Sequence, residues 1–331
     1  MTAMNKNDAS MQRLIRPLLW SILAAMAIYG GFVIASDFEG FINSLTKLSL
    51  EGWLIVLGLS LCNYCLRFVR WEIYLHRLNS RIPTLQSLAY YLGGFAFTTT
   101  PGKAGEAVRS LYLKRHGVSY TNSLAAFFTE RFTDLIAMVL LALTAAVMFP
   151  DYQWLVMVIT AIILALLPVI HAKFFHSALE KQLNKLHSEK IRGIGLHVLE
   201  LLRSAGSLLR SGPLYTGVIL ALIAWGAEGI AFYVILQSLD IDTTIKLAVG
   251  IYSVSILAGA LSLIPGGLGG AEAVMILLLK LVGADTPTAV AATLICRLAT
   301  LWFAVIIGGI VIAAVEVNNK NNGNQTSNPP Q

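Results

Sequence analysis

Residues 264–274 read IPGGLGGAEAV, a glycine-rich break in a chain that is otherwise almost continuously apolar. A second break, TPGKAGEAV at residues 100–108, repeats its plan of proline, glycines and Glu-Ala-Val. Shifting the chain by 166 residues places Glu106 on Glu272 and Arg131 on Arg297, and 12 of the 36 positions in 106–141 are then identical. This self-similarity indicates an internal duplication.

The composition is that of an integral membrane protein. Of the 331 residues, 56% are hydrophobic and only 13% are charged. The mean hydropathy of +0.70 excludes a soluble domain. The net charge of +6 does not indicate nucleic-acid binding, because no basic patch is joined to a soluble fold.

Apolar runs of about 20 residues predict six membrane-spanning helices. These runs are residues 17–35, 52–69, 121–149, 154–170, 213–239 and 287–315. A signal peptide cleaved after Ala35 is an alternative for the first run, but about 19 apolar residues exceed the usual length of such a region. Two further stretches, 85–116 and 244–283, contain the breaks and are predicted to be re-entrant hairpins of two short helices.

The order of spans and hairpins predicts two inverted repeats. Each half has three spans and one hairpin, and an odd number of crossings inverts the second half. With the N-terminus inside, 19 of the 24 Lys and Arg residues lie on the inner side, as the positive-inside rule requires. The sequence therefore predicts an all-α polytopic protein of the cytoplasmic (inner) membrane, with both termini cytoplasmic.

The predicted parts differ in polarity. They are a cytoplasmic N-terminus (1–16), membrane repeat 1 (17–150), membrane repeat 2 (151–317) and a disordered tail (318–331). Residues 171–212 lie within repeat 2 and are predicted to form a basic amphipathic helix on the inner leaflet. This helix is either a linker between the repeats or a docking site for a partner.

Charged side chains inside predicted spans are the first candidates for a site. Arg131 and Arg297 lie at equivalent depths, where an ionised side chain costs about 2.5–3.5 kcal/mol to insert. One interpretation is that acidic side chains neutralise both, namely Glu106, Glu272, Glu130, Asp134 or Glu228. The other is that the two guanidinium groups hold a lipid phosphate in bidentate fashion. Arg67 and Arg70, near the inner end of their span, are expected to snorkel to the cytoplasmic face.

The breaks are the second candidates. A helix that begins at Ala104 or Ala271 would present unpaired backbone N–H groups at membrane depth, which is a favourable anion site. Lys103 adds a positive charge in the first copy only. The alternative is that the glycines merely permit close helix packing.

No pattern predicts a catalytic or metal-binding site. The six histidines form no metal-ligand cluster, and there is no nucleophile elbow, P-loop or zinc-protease pattern. The sequence therefore predicts no cofactor and no enzymatic activity. Without a nucleotide site, transport would be downhill or proton-coupled, with Glu106, Glu272 or Glu228 as candidate proton carriers.

The motif PGKAGEAVR, followed by Glu130-Arg131, and the motif IPGGLGGAE together resemble the flippase-like transmembrane region of the lysyl-phosphatidylglycerol synthases, the multiple peptide resistance factors. The resemblance covers residues 53–315. It implies an inverted-repeat fold that moves aminoacylated phospholipid, or a polyprenyl-linked or glycolipid substrate, between leaflets. The matching positions are Gly102, Lys103, Glu106, Arg109, Glu130, Arg131, Gly266, Gly267, Glu272 and Arg297. This sequence lacks the synthases' cytosolic transferase domain, so we do not expect it to make the lipid.

These observations predict a flippase or transporter for an anionic or aminoacylated phospholipid or a polyprenyl-linked lipid. The phosphate is expected to meet the breaks, Arg131 and Arg297, and Glu228, midway along its span, either pairs with an arginine or acts as a proton site. Two alternatives stay open: an intramembrane enzyme acting on a lipid-linked substrate, and a partner subunit of an envelope-lipid synthase that docks through residues 173–210. A homo-oligomer is also compatible with the sequence.

Overall fold

The computed structural model describes residues 38–146, 173–185, 188–262 and 264–326, together with Gly31, Trp154, Met157, Val158 and Ala161. The predicted N-terminus 1–16 lies outside the described residues, as do nearly all of the predicted spans 17–35 and 154–170.

The described part of the chain is helical and contains no strand, which confirms the all-α prediction. Its helices are α1 (Phe38–Lys47), α2 (Leu50–Arg77), α3 (Thr84–Gly94), α4 (Arg109–Lys114), α5 (Tyr120–Ala146), α6 (Lys173–Asn184), α7 (Glu189–Leu208), α8 (Ser211–Ser238), α9 (Ile245–Leu261), α10 (Gly270–Leu281), α11 (Thr286–Arg297) and α12 (Phe303–Thr326).

Three helical stretches in the described part are long and apolar enough to cross a membrane: Leu50–Arg77, Gly212–Ser238 and Thr286–Asn318. They contain the predicted spans 52–69, 287–315 and nearly all of 213–239. The predicted span 121–149 is α5, whose 27 residues extend about 40 Å. This helix carries Glu130, Arg131 and Asp134 in its middle, so it is long enough to cross but is not purely apolar.

Both predicted hairpins are broken helices. After α3, the chain forms 3₁₀ turns at Phe95–Phe97 and Pro101–Val108 before α4 begins. After α9, a 3₁₀ turn at Pro265–Gly267 precedes α10. We call residues 95–108 the first break and residues 264–269 the second break.

The predicted helix starts need correction. The α-helix expected from Ala104 begins at Arg109, because Pro101–Val108 form a 3₁₀ helix, in which Lys103 has a left-handed backbone (φ 56°). The helix expected from Ala271 begins one residue earlier, at Gly270. In the second break, Gly266 and Gly267 have φ of 67° and 65°, a conformation that glycine adopts without steric cost.

The two breaks lie against each other inside the helix bundle. A Cβ atom added to Gly266 would be 3.4 Å from the Cα of Thr99, next to the first break's second turn. Around them, α8 packs along α2, and α9 packs against α5 and α10. Contact between the breaks brings the residues that follow Pro101 and Pro265 to one place in the core.

Within the predicted amphipathic segment 171–212, the described residues form two helices, Lys173–Asn184 and Glu189–Leu208, where one was predicted. α6 and α7 pack on each other, and Arg203 of α7 pairs with Glu180 of α6 at 2.5 Å. α7 also packs against α5, with Leu199 and Leu208 fully buried. Its apolar stripe therefore faces protein.

The last helix continues further than predicted. α12 reaches Thr326, so most of the tail for which the sequence predicted disorder is helical. Each residue added to an existing helix forms one further hydrogen bond at little cost, which favours propagation from the apolar segment.

Gly308 fixes how closely α12 approaches the first break, and this gives a matched test. A Cβ atom there would lie 2.3 Å from the backbone nitrogen of Ala96 and 2.8 Å from the carbonyl oxygen of Leu92. At Gly309 a Cβ atom meets nothing within 4 Å. We expect Gly308→Ala to lower the free energy of unfolding by about 1–3 kcal/mol, whereas Gly309→Ala leaves it unchanged or raises it by up to about 1 kcal/mol. Thermal unfolding of the two purified variants in detergent compares them, and equal melting temperatures would contradict the close packing.

Candidate functional site

Glu130 is the centre of a buried charge network. Its carboxylate accepts hydrogen bonds from the Tyr91 hydroxyl at 2.6 Å, Arg109 Nη2 at 2.6 Å and Arg131 Nη2 at 2.8 Å. Arg67 Nη2 lies 3.4 Å away. The Glu130 side chain is fully buried, so these arginines compensate a charge that would otherwise be costly to bury.

Arg67 and Arg70 do not snorkel, contrary to the prediction. Both are buried, and Arg70 Nη2 pairs with Asp134 Oδ1 at 2.6 Å. The same Oδ1 accepts a hydrogen bond from Trp225 Nε1 at 2.9 Å. The two arginines are three residues apart and therefore lie on one face of α2. That face packs against Glu130 and Asp134 of α5. Because these two carboxylates lie within ion-pair distance, the guanidinium groups stay buried and do not extend to the cytoplasmic face.

Arg109 is enclosed by aromatic rings. Its guanidinium carbon lies 3.9 Å from the centre of the Trp71 ring, 4.8 Å from that of Tyr91 and 5.3 Å from that of Phe127. Stacking of this kind suits the weakly hydrated guanidinium group. With its 2.6 Å bond to Glu130, Arg109 anchors α4 to α5.

In the second break, Arg297 pairs with the glutamate of the repeated motif. Its Nε lies 2.7 Å from Glu272 Oε1, and its Nη2 donates to the carbonyl oxygen of Gly266 at 2.8 Å. Glu272 Oε2 accepts the backbone N–H of Gly269 at 2.6 Å. The N-terminus of α10 therefore already holds the chain's own carboxylate, as in the glutamate half of a capping box. One N–H group at this helix start, that of Gly269, is therefore paired within the chain, and the anion site expected there stays a prediction.

The first break has the corresponding pair at longer range. Glu106 accepts a hydrogen bond from the Thr98 hydroxyl at 2.9 Å, and its Oε2 lies 3.7 Å from both Arg67 Nη2 and Arg131 Nη2. Arg131 also lies 3.1 Å from Asp134. The acidic neutralisation considered for Arg131 and Arg297 is therefore present at both, and their contact with a lipid phosphate stays a prediction.

A π-helical turn at Leu298–Trp302 follows Arg297 directly. Such turns widen a helix locally and are frequent at functional sites. Here the carbonyl oxygen of Thr300 accepts a hydrogen bond from the Tyr64 hydroxyl at 2.6 Å. The turn thus ties α2 to the helix that carries Arg297.

A cavity of about 360 Å³ lies between α2, the two breaks, α5, α8, α9 and α11. That volume is within the range of small-ligand pockets. Its wall is mostly apolar, with charged side chains from both halves of the chain: Arg67, Lys103, Arg131, Arg297, Asp134 and Glu228. Together with the buried Arg70, Arg109, Glu106, Glu130 and Glu272 behind the wall, the site has six basic and five acidic groups, a formal surplus of one positive charge.

The structure brings together some of the predicted site residues and separates others from the cavity. Those that line it are Lys103, Arg131, Glu228, Gly266, Gly267 and Arg297. Glu106, Arg109, Glu130 and Glu272 are buried in the ion-pair networks behind the wall, and Gly102 lies in the 3₁₀ turn of the first break. Among the described residues, no group of three or more His, Cys, Asp or Glu side chains is placed to hold a metal ion.

Lys103 differs from the other cations of the cavity. Its Nζ lies over the Trp225 ring, 5.2 Å from the ring centre. Within the described part of the chain, no carboxylate oxygen is within 4 Å of that nitrogen. A cation held by an aromatic face retains hydrogen-bond donors for an anion.

Sequence reasoning misplaced or missed several residues that build the site. It expected Arg67 and Arg70 at the cytoplasmic face, although they belong to the network with Asp134, and it did not identify Tyr64, Trp225 and Tyr252, which line the cavity. Two arginines spaced by three in an apolar span, and two acids spaced by four in another, were the available signal. That signal indicates facing charged stripes on two helices.

The transmembrane region of lysylphosphatidylglycerol synthase is the family whose model matches this chain, over residues 22–308. A UPF0104 membrane protein of Pyrococcus horikoshii is 26% identical over 305 residues, which is 82% of this chain and 90% of the relative. One from Methanocaldococcus jannaschii is 28% identical over 235 residues, covering 68% and 95%. The phosphatidylglycerol lysyltransferase of Bacillus subtilis is 22% identical over 300 residues, covering 87% of this chain but only 31% of that protein.

Proposed function

Because the chain belongs to the family of lysylphosphatidylglycerol synthase transmembrane regions, we propose that it moves lipid headgroups between membrane leaflets through the cavity at its two breaks. The substrate is an anionic or aminoacylated phospholipid, or a polyprenyl-linked or glycolipid with a phosphate. The protein acts as a transporter without changing the lipid chemically.

The proposed arrangement is two inverted repeats in the cytoplasmic membrane, with about six full spans, two re-entrant hairpins and cytoplasmic termini. Two observations support it. The contacts of Glu272 with Arg297 and of Glu106 with Arg131 occupy equivalent positions of the two copies. The two breaks also lie in contact, as expected for a site at a repeat interface.

The observation that carries the proposal is the lysine of the first break. Arg67, Arg131 and Arg297 of the cavity wall have acidic partners, whereas Lys103 has no carboxylate within 4 Å among the described residues. A phosphate is the complementary ligand, because hydrogen bonds between charged partners gain strength away from water.

The cavity also reaches the surface of the molecule at an apolar edge. Leu261 and Ile264 both line it and are 61% and 43% exposed. An apolar opening lets the headgroup enter while the acyl chains stay in lipid, which avoids the cost of moving them through a polar site. Alternating exposure of the cavity to the two leaflets then completes transfer.

Reconstitution tests this function. Purified protein in vesicles is assayed with fluorescent phosphatidylglycerol, phosphatidylethanolamine, phosphatidylcholine and a polyprenyl phosphate, with a membrane-impermeant quencher reporting the outer leaflet. We expect transfer of the phosphate-bearing anionic lipids, slowed in Arg131→Ala and Arg297→Ala but not in Arg210→Ala, which changes an exposed arginine. Absence of transfer for every lipid would refute the proposal, and normal transfer by both cavity variants would refute the role of the arginines.

A further inference from the structure

Glu228 is the cavity carboxylate that makes no close ion pair. It lies midway along α8, is 3% exposed and lines the cavity. The hydroxyl of Tyr252 donates a hydrogen bond to its Oε2. No basic nitrogen in the described part of the chain lies within 4 Å of it.

The two other carboxylates considered as proton carriers are held differently. Glu272 is bonded to Arg297 and to the N–H of Gly269. Glu106 faces Arg67 and Arg131 and accepts the Thr98 hydroxyl. Protonating either one would break a buried ion pair, which is strongly unfavourable. Glu228 can gain or lose a proton without breaking such a pair.

Titratable or charged groups of several elements face the same cavity as Glu228 or act on it. They are Tyr64 and Arg67 from α2, Lys103 from the first break, Arg131 and Asp134 from α5, Tyr252 from α9, and Cys296 and Arg297 from α11. The four cations favour the ionised carboxylate from beyond 4 Å, and the negative charge of Asp134 opposes it. Burial favours the neutral acid. The protonation state of Glu228 therefore depends on how much of the positive charge in the cavity is neutralised.

An anionic headgroup changes that balance. A phosphate bound to Lys103 cancels positive charge that stabilises ionised Glu228, so the carboxylate takes up a proton when the anion binds. By linkage, the proton strengthens anion binding by the same factor. Anion and proton together carry no net charge, which lowers the cost of crossing a low-dielectric site.

We propose that Glu228 is the proton-coupling site and that one proton travels with each singly charged anionic headgroup in the same direction. This inference rests on the proposed function. The proton comes from water on the side to which the cavity is open and binds a carboxylate oxygen of Glu228. It returns to water on the other side when the headgroup leaves, while Tyr252 keeps Glu228 oriented.

The test uses vesicles of phosphatidylglycerol and phosphatidylethanolamine with a fluorescent phosphatidylglycerol as the probe. With the outside more acidic by one pH unit, neutral one-to-one symport shifts the final inner-to-outer distribution of the probe by up to about tenfold. Because the cargo is neutral, clamping the membrane potential with valinomycin and potassium leaves that shift unchanged.

Glu228→Gln is the decisive variant, since an amide keeps the shape and the Tyr252 hydrogen bond but cannot carry the proton. We expect the final inner-to-outer distribution of the probe with Glu228→Gln to be independent of the pH gradient, whatever the rate of transfer. Glu51→Gln, at an exposed position at the start of α2, should follow the gradient like the wild type. A gradient-independent wild type, or a gradient-following Glu228→Gln, overturns the coupling and leaves the proposed function standing. No transfer by the wild type overturns both.

A binding measurement covers the case in which Glu228→Gln does not transport. Titration of short-chain phosphatidylglycerol into wild-type protein, in two buffers with different ionisation enthalpies, counts the protons taken up on binding. We expect net uptake in the wild type and none in Glu228→Gln. Binding without proton uptake by the wild type would overturn the inference.

Discussion

Glu130→Ala is expected to lower the free energy of unfolding by about 3–5 kcal/mol, the usual cost of removing one partner from a buried ion-pair network. The change leaves Arg109 without its 2.6 Å partner and takes from Arg131 its 2.8 Å partner. It also removes the acceptor of the buried Tyr91 hydroxyl. A loss of this size is a large part of the stability of a typical fold. Thermal unfolding and size-exclusion profiles of the purified protein measure it.

The control is Glu200→Ala, which removes an exposed carboxylate from α7 and should change stability by less than about 0.5 kcal/mol. Combining Glu130→Ala with Arg109→Leu should recover part of the loss, because the double variant removes an unpaired buried charge. If Glu130→Ala unfolds like the control, the network does not hold the bundle together.

Lys103→Gln is expected to slow transfer of anionic lipid about 10- to 100-fold, which corresponds to losing one charge-assisted hydrogen bond of about 1.5–3 kcal/mol. The fold should survive, because Lys103 contacts the Trp225 ring and, among the described residues, has no carboxylate within 4 Å. The rate is measured in reconstituted vesicles and the melting temperature in detergent.

Two variants sharpen the interpretation of Lys103. Lys103→Arg keeps the positive charge and should retain more transport than Lys103→Gln. Lys246→Gln removes an exposed lysine near the start of α9 and should transport normally. A transfer rate of Lys103→Gln within twofold of the wild-type rate would show that Lys103 does not bind the headgroup.

The breaks and the described apolar spans could be predicted from sequence because both are local signals. Proline and glycine interrupt helices wherever they fall, and the apolar runs of α2 and α8 are continuous. The predicted start of α4 was wrong because the preceding residues Pro101–Val108 form a 3₁₀ helix, in which Lys103 has a left-handed conformation that a lysine seldom adopts. The packing of α7 against α5 is tertiary information that the amphipathic pattern does not contain.

Only part of the charge network could be predicted from the sequence. The equivalence of Glu106 and Glu272 indicated the two breaks, but the partners of Glu130 include Arg67 of α2 and Tyr91 of α3, which are 63 and 39 residues away in the chain. Nothing local distinguishes a snorkelling Arg67 from a buried one. The carboxylate at the N-terminus of α10 could have been predicted from the sequence. Glu272 lies three residues after Gly269, a position from which a carboxylate accepts the N–H at the start of its own helix.

The most direct test is to block the cavity chemically and measure lipid transfer. In a chain with Cys62, Cys65 and Cys296 changed to alanine, Ala260→Cys places one thiol on the exposed edge of the cavity wall. Ala314→Cys places one on an exposed part of α12 outside the residues that line the cavity. After complete reaction with a bulky methanethiosulfonate, we predict loss of anionic-lipid transfer for Ala260→Cys and no change for Ala314→Cys. Undiminished transfer by fully modified Ala260→Cys would contradict the central claim that the headgroup passes through this cavity.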